Sequence, residues 1–193
     1  MRIISGSARG RKLLAPGQRF GDSVRPTSDR AREAIFNILA GKVAGARVVD
    51  LFAGTGALGL EALSRGALSA VFVDAQRSVI ELIGKNIALC GFDDRATVLQ
   101  KDLAKGLAFL TAQQPEGGFD LAFLDPPYGG ILALRVLESL AEGNFLGAKG
   151  IVVLEDAAGA EYPQTVGPLV CFDRRRYGEA GFWLYQHTGG RVQ

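Results

Sequence analysis

With 193 residues, 48% of them hydrophobic and 22% charged, the chain has the size and composition of one globular domain with a real core, and it holds no apolar run long enough to cross a bilayer. Ser5, Gly6 and Arg9 interrupt the start before a secretory stretch can develop, and Cys90 and Cys171 lie far apart with no CxxC spacing. These features predict a soluble, cytoplasmic protein with two buried thiols and no metal. The net charge of +2 is unevenly spread: residues 1–32 carry eight basic against two acidic side chains, a net +6, whereas the remainder carries 14 against 18, a net −4.

Two short strands, 3–5 and 12–15, joined by a turn containing Gly6 and Gly10, read as a small hairpin. Pro16, Gly17, Gly21 and Pro26 then break regular structure, after which Thr27 or Ser28 can cap a helix with Ala31, Ile35, Ile38 and Leu39 on its apolar face and Arg30 and Arg32 near its start. From Arg47 onward short apolar runs alternate with helical stretches, the pattern of βα units in a parallel sheet. Strands are expected at 47–52, 70–74, 96–101, 119–125 and 150–155, and helices at 57–64, 78–90, 103–111 and 131–142. Two further strands near 170–173 and 182–186 predict an antiparallel edge.

The run Val48-Val49-Asp50-Leu51-Phe52-Ala53-Gly54-Thr55-Gly56 reads as a buried strand, a glycine turn and a helix start. Gly54, Gly56 and Gly59 satisfy GxGxxG, and Asp74 follows Gly54 by twenty positions at the end of the next strand, where a carboxylate can accept both hydroxyls of a ribose. That arrangement serves a dinucleotide or S-adenosylmethionine equally. Asp50, just ahead of the turn, favours the latter, because a carboxylate there helps to bind a cationic amino-acid moiety and adds little to a pyrophosphate. The same carboxylate could instead be satisfied by loop amides. Asp102, at the end of the third strand, can receive an adenine amino group or cap the helix that follows, and both readings stand.

The most specific signal is Leu121-Ala122-Phe123-Leu124 running into Asp125, Pro126, Pro127 and Tyr128, at the strand edge where parallel sheets bind ligands. The paired prolines fix the backbone and remove two amide donors, so that carbonyls are left as acceptors. Asp125 adds a carboxylate acceptor and Tyr128 an aromatic face, a combination that suits a planar base carrying an exocyclic NH2.

These residues resemble bacterial methyltransferases of the RsmD type, which act on guanine N2 in 16S ribosomal RNA. The likeness spans the whole chain and rests on Arg2 to Leu13 with its Arg9-Gly10-Arg11-Lys12 core, on Arg25 to Leu39, on Asp50 to Gly56 and on Asp125 to Tyr128. Similar proteins often have a tryptophan where Ile38 stands here, a packing change.

The resemblance implies a Rossmann-like, seven-stranded class I fold for S-adenosylmethionine-dependent methyltransferases, mostly parallel with an antiparallel edge. Residues 1–22 would be a basic hairpin extension and 23–193 the methyltransferase domain. It implies cofactor roles for Asp50, Phe52, Ala53, Gly54, Gly56, Asp74, Asp102 and Leu103, and base-handling roles for Asp125, Pro126, Pro127 and Tyr128. RNA contacts are expected from Arg9, Arg11, Lys12, Arg25 and Arg30, with Arg174, Arg175 and Arg176 either extending that surface or forming a solvated turn between edge strands. The substrate implied is the small ribosomal subunit or an assembly intermediate, bound by a monomer. The central motifs also occur in amine methyltransferases that act on DNA adenine or cytosine or on protein glutamine, and a noncatalytic RNA-binding module is the remaining alternative.

Overall fold

A computed structural model describes residues 1–15, 29–127 and 131–189. Arg25, Thr27, Ser28 and Tyr128, and the breakers between Pro16 and Pro26, lie outside the described residues. The chain divides into two compact units, Met1–Lys101 and Asp102–Gln193.

In the first unit, α1 (Asp29–Ile38) leads into β1 (Arg47–Leu51), α2 (Ala57–Ser64), β2 (Ser69–Asp74), α3 (Arg77–Cys90) and β3 (Ala96–Gln100). The three strands are parallel, with β2 between β1 and β3. Val48, Val49 and Leu51 on β1 and Phe72 and Val73 on β2 are fully buried, so these strands read as continuous apolar runs rather than alternating ones. Every residue of α2 is buried as well. In α1 the core-facing set is Ala31, Arg32, Ile35 and Phe36, while Ile38 is only half-buried; a pattern read on aliphatic residues passes over Phe36 and the arginine.

The N-terminal hairpin exists in outline but not as two paired strands. One antiparallel bridge joins Arg2 to Lys12, supported by Ile3 N–H to Arg11 O (2.9 Å) and Gly10 N–H to Ile3 O (2.9 Å). The ladder stops there because the next donors are spent on α2. Ile4 and Ser5 N–H groups donate to the two carboxylate oxygens of Glu61 (2.7 and 3.0 Å), Ser7 N–H to Ser64 O (2.8 Å) and Ala8 N–H to Ser64 Oγ (3.0 Å). Gly6 permits this approach: its φ is +82°, and an added Cβ would lie 1.8 Å from the Ser64 carbonyl oxygen.

An ionic cluster centred on the buried Arg32 and Glu61 completes the seam. Arg32 donates from Nη2 to the Arg2 carbonyl (2.5 Å) and to Asp29 (3.0 Å), with its Nε 4.0 Å from Glu61, and Arg65 Nε donates to Glu61 at 2.7 Å. Burial lowers the Arg32 pKa, opposed by the nearby Glu61 and Asp29 charges. One of the eight basic residues at the front is therefore internal scaffolding.

In the second unit, β4 (Phe119–Leu124) and β5 (Leu146–Ala157) are parallel, linked through α4 (Ile131–Glu142). β5 then pairs antiparallel with β8 (Ala180–His187), β8 with β7 (Leu169–Tyr177), and β7 with the two-residue β6 (Thr165–Val166). The described residues thus contain eight strands where seven are expected, and β5 and β7 extend beyond their expected ends.

The helix expected at 103–111 is instead two 3₁₀ turns, Leu103–Lys105 and Ala108–Ala112, because Gly106 between them adopts φ 90°, ψ −179°, which no helix accommodates. Arg174, Arg175 and Arg176 lie inside β7, and the chain reverses afterwards at Gly178 (φ 63°). Arg175 is neutralised by Asp173 at 3.0 Å, whereas Arg174 stacks 4.9 Å over Trp183. Cys90 is buried as expected; Cys171 is only half-buried, since β7 keeps one face towards solvent. No described helix is long and apolar enough to cross a membrane, and no group of acidic, histidine or cysteine side chains among the described residues could hold a metal.

Candidate functional site

At the carboxyl end of β1 the backbone turns sharply. Phe52 takes φ 62°, Gly54 φ 54° and Gly56 φ 78°. Positive φ at a phenylalanine costs on the order of 1–3 kcal/mol and marks a loop held in shape by its surroundings. Gly56 precedes α2 without a side-chain cap of its own. Asp50 supplies one from outside the helix: its Oδ2 accepts from Gly59 N–H at 2.9 Å. Gly59 must be glycine for helix and strand to meet, since a Cβ there would sit 2.3 Å from a Phe72 ring carbon.

Burial is the main force on Asp50, which is 1% exposed; it pushes the carboxyl up to about 7, against the lowering effect of the Gly59 bond and with a further push from Asp74. Between the ordinary carboxylate range and about pH 7 the folded protein therefore keeps a proton that the unfolded chain has released. This contribution to stability falls as pH rises through that window and stays constant above it. Asp50→Asn retains an acceptor for Gly59 without the charge. Relative to the wild type it is expected to gain stability between pH 5 and pH 8, by an amount on the order of a few kcal/mol. Denaturant titrations at the two pH values check this, and an unchanged difference would contradict the buried-carboxyl account.

Asp74, at the end of β2, is half-buried, and both its oxygens touch the loops: Oδ2 accepts from Gly54 N–H (3.2 Å) and Oδ1 from Gln76 N–H (3.0 Å). It is thereby fixed beside the glycine turn. Ala53 is buried and its N–H continues the ladder to Val73 O at 3.0 Å. The structure thus brings Asp50, Phe52, Ala53, Gly54, Gly56 and Asp74 together. A strained turn, a buried acid and a second acid at the strand tip fit an adenosyl amino acid.

In the second unit, Asp102 is exposed and its Oδ1 accepts from Ala104 N–H at 3.0 Å, capping the first 3₁₀ turn, while Leu103 is buried. Asp125, Pro126 and Pro127 follow the last residue of β4, where Asp125 is half-buried, Pro126 buried and Pro127 exposed.

On the basic front, Arg9, Arg11, Lys12 and Arg30 are exposed, and none of the ion pairs formed among the described residues engages them. Sequence reasoning missed Glu61, Ser64 and Asn86, which anchor the front to the helices around the glycine loop. Their only signal was polarity at positions of an otherwise apolar helical face.

Residues 1–186 match the protein family described as Conserved hypothetical protein 95. The chain is 32% identical over 186 residues to the ribosomal RNA small subunit methyltransferase D of Escherichia coli K12, covering 96% of this chain and 89% of that one. It is 36% identical over 156 residues to the protein of the same name from Haemophilus influenzae, covering 80% and 78%. The solved structure of a hypothetical protein of Thermus thermophilus superposes with a TM-score of 0.79 at 31% identity, covering 95% of this chain and 98% of that one. Together with the α/β architecture and the glycine loop, these matches place the chain in the Conserved hypothetical protein 95 family, the family of ribosomal RNA small subunit methyltransferase D.

Proposed function

We propose that this protein transfers a methyl group from S-adenosylmethionine to the exocyclic N2 of a guanine in 16S ribosomal RNA, acting as a cytoplasmic monomer on the small ribosomal subunit or an assembly intermediate. The observation that carries the reading is the Asp125-Pro126-Pro127 corner that closes the buried strand β4. The name shared by the Escherichia coli and Haemophilus relatives supports ribosomal RNA as the substrate.

S-adenosylmethionine supplies a methyl carbon bonded to a positively charged sulfur and so already activated for transfer. Asp74 would accept hydrogen bonds from the ribose hydroxyls, Asp50 in its ionised form would face the amino group, and Asp102 would accept from the adenine amine. Phe52, Ala53, Gly54 and Gly56 contribute the loop and Leu103 an apolar contact.

An exocyclic amine is a poor nucleophile because its lone pair is delocalised into the ring. The Asp125 carboxylate and the Pro126 carbonyl accept its hydrogens and favour tetrahedral nitrogen, Pro127 stiffens the corner, and Tyr128 stacks on the extruded base. When the nitrogen takes the methyl group that the bound sulfonium would release, it sheds one proton towards Asp125 or water. Residues 1–22 act as a basic extension of the domain 23–193, holding phosphates through Arg9, Arg11 and Lys12, and Arg25 and Arg30 hold further phosphates.

Incubation with methyl-labelled cofactor and a mixture of small-subunit particles, duplex DNA and total protein tests the substrate class. Label is expected in RNA; label confined to DNA or to protein glutamine would overturn the reading in favour of another amine substrate.

A further inference from the structure

The glycine loop is gripped from outside by Asn86, a fully buried side chain on α3. Its Oδ1 accepts from Leu14 N–H at 2.8 Å, and its Nδ2 donates to Leu14 O at 3.1 Å and to Thr55 O at 2.9 Å. An amide is the one neutral side chain that can both donate to and accept from a single residue's backbone, as a neighbouring strand would, with a second hydrogen left for another carbonyl. Thr55 sits between Gly54 and Gly56. Its hydroxyl donates to the Met1 sulfur at 3.4 Å, and Leu13 N–H closes the segment on the Met1 carbonyl at 3.2 Å. Both ends of the segment 1–15 thus converge on the middle residue of a glycine turn that begins at Phe52, whose φ of 62° is strained. Strain of that kind persists only where the surroundings over-determine it.

We infer that Asn86 is a positioning residue for the cofactor loop, fixing Thr55 to the basic N-terminal segment so that the conformation of that segment sets the loop's affinity for S-adenosylmethionine. The inference rests on the proposed role of the glycine loop in holding that cofactor. Asn86 touches no atom that reacts; it acts through the Thr55 carbonyl. Asn86→Ala leaves two carbonyls and one N–H of the bridge without their partner. Asn86→Asp keeps an acceptor for Leu14 N–H but turns an anion towards both carbonyls.

Calorimetric titration of S-adenosylhomocysteine, the unreactive product, into the full-length wild type, N86A, N86D and L14P tests this. Leu14 is 44% exposed, and Leu14→Pro removes its N–H donor and fixes its φ, without altering Asn86 or any residue of the loop. Affinity is expected to fall about tenfold in N86A and N86D and several-fold in L14P. The KM for the cofactor should rise in the same order while kcat at saturating cofactor stays within about twofold, a split that general destabilisation would not produce. Leu89→Ala, exposed on α3 and off the bridge, should change neither. Wild-type binding with undiminished affinity in folded L14P would overturn the inference and leave the cofactor reading standing. If N86A does not fold, L14P decides. Absence of binding to the wild type would reject the cofactor reading itself.

Discussion

Asp125→Ala is expected to lower the single-turnover rate of methyl transfer at least about a thousandfold, with S-adenosylhomocysteine affinity kept within about twofold of the wild type. Removing one preorganised group at a site of developing charge typically costs a factor of about 10² to 10³, and loss of an acid–base partner can add to it. Asp125 stands one residue beyond a strand whose last four residues, Leu121 to Leu124, are fully buried, so the truncation leaves the core intact. Asp125→Asn, which keeps a neutral acceptor oxygen, should fall between the two. Rapid-quench assays with labelled cofactor supply the rate and calorimetry the affinity. A D125A protein that turned over at the wild-type rate would remove Asp125 from the reaction.

The second large effect is expected on RNA affinity. Arg9, Arg11 and Lys12 are exposed on a loop whose backbone, rather than these side chains, is tied to Glu61 and Ser64. Their joint replacement by alanine should therefore spare the fold. Every phosphate that a basic side chain neutralises contributes roughly 0.7 to 0.9 to the slope of log affinity against log salt, so the triple variant should show a slope shallower by about 2 to 3. The cofactor affinity should not change, because the bridge through Leu14 and Asn86 involves none of the three side chains. Filter binding to small-subunit particles between about 50 and 300 mM salt measures the slope; an unaltered value would place the segment outside the RNA interface.

The elements legible in the sequence were those whose periodicity and punctuation agree. The helix at Ala57–Ser64 follows a glycine turn and that at Ile131–Glu142 follows Gly129-Gly130, and both fall at their expected bounds. The strand ending at Leu124 stops where Asp125-Pro126-Pro127 must stop it. The segment after Asp102 misleads because its apolar spacing is helical while Gly106 breaks the dihedral continuity, a conflict that periodicity alone does not weigh. Arg174 to Arg176 suggest a turn by charge, yet a strand with one wet face carries such residues readily, and Arg174 gains a cation–π contact with Trp183.

The glycine loop, Asp50 and Asp74 were readable because their spacing is imposed by one βαβ unit. The anchoring of the N-terminal segment was not. It depends on Glu61, Ser64 and Asn86 meeting backbone groups more than fifty positions away, and no local pattern records such pairings. For the same reason Arg32 counts with the surface charges in the sequence, although it is a buried partner of Glu61 and Asp29.

The most direct measurement is nucleoside mass spectrometry of 16S RNA recovered from small-subunit particles after incubation with the protein and S-adenosylmethionine. A single added methyl on the guanine exocyclic amine, absent when D125A replaces the wild type, is the predicted outcome. Methylation of a ring nitrogen or a ribose oxygen, or unmodified RNA despite bound cofactor, would contradict a corner built to hold an NH2 group.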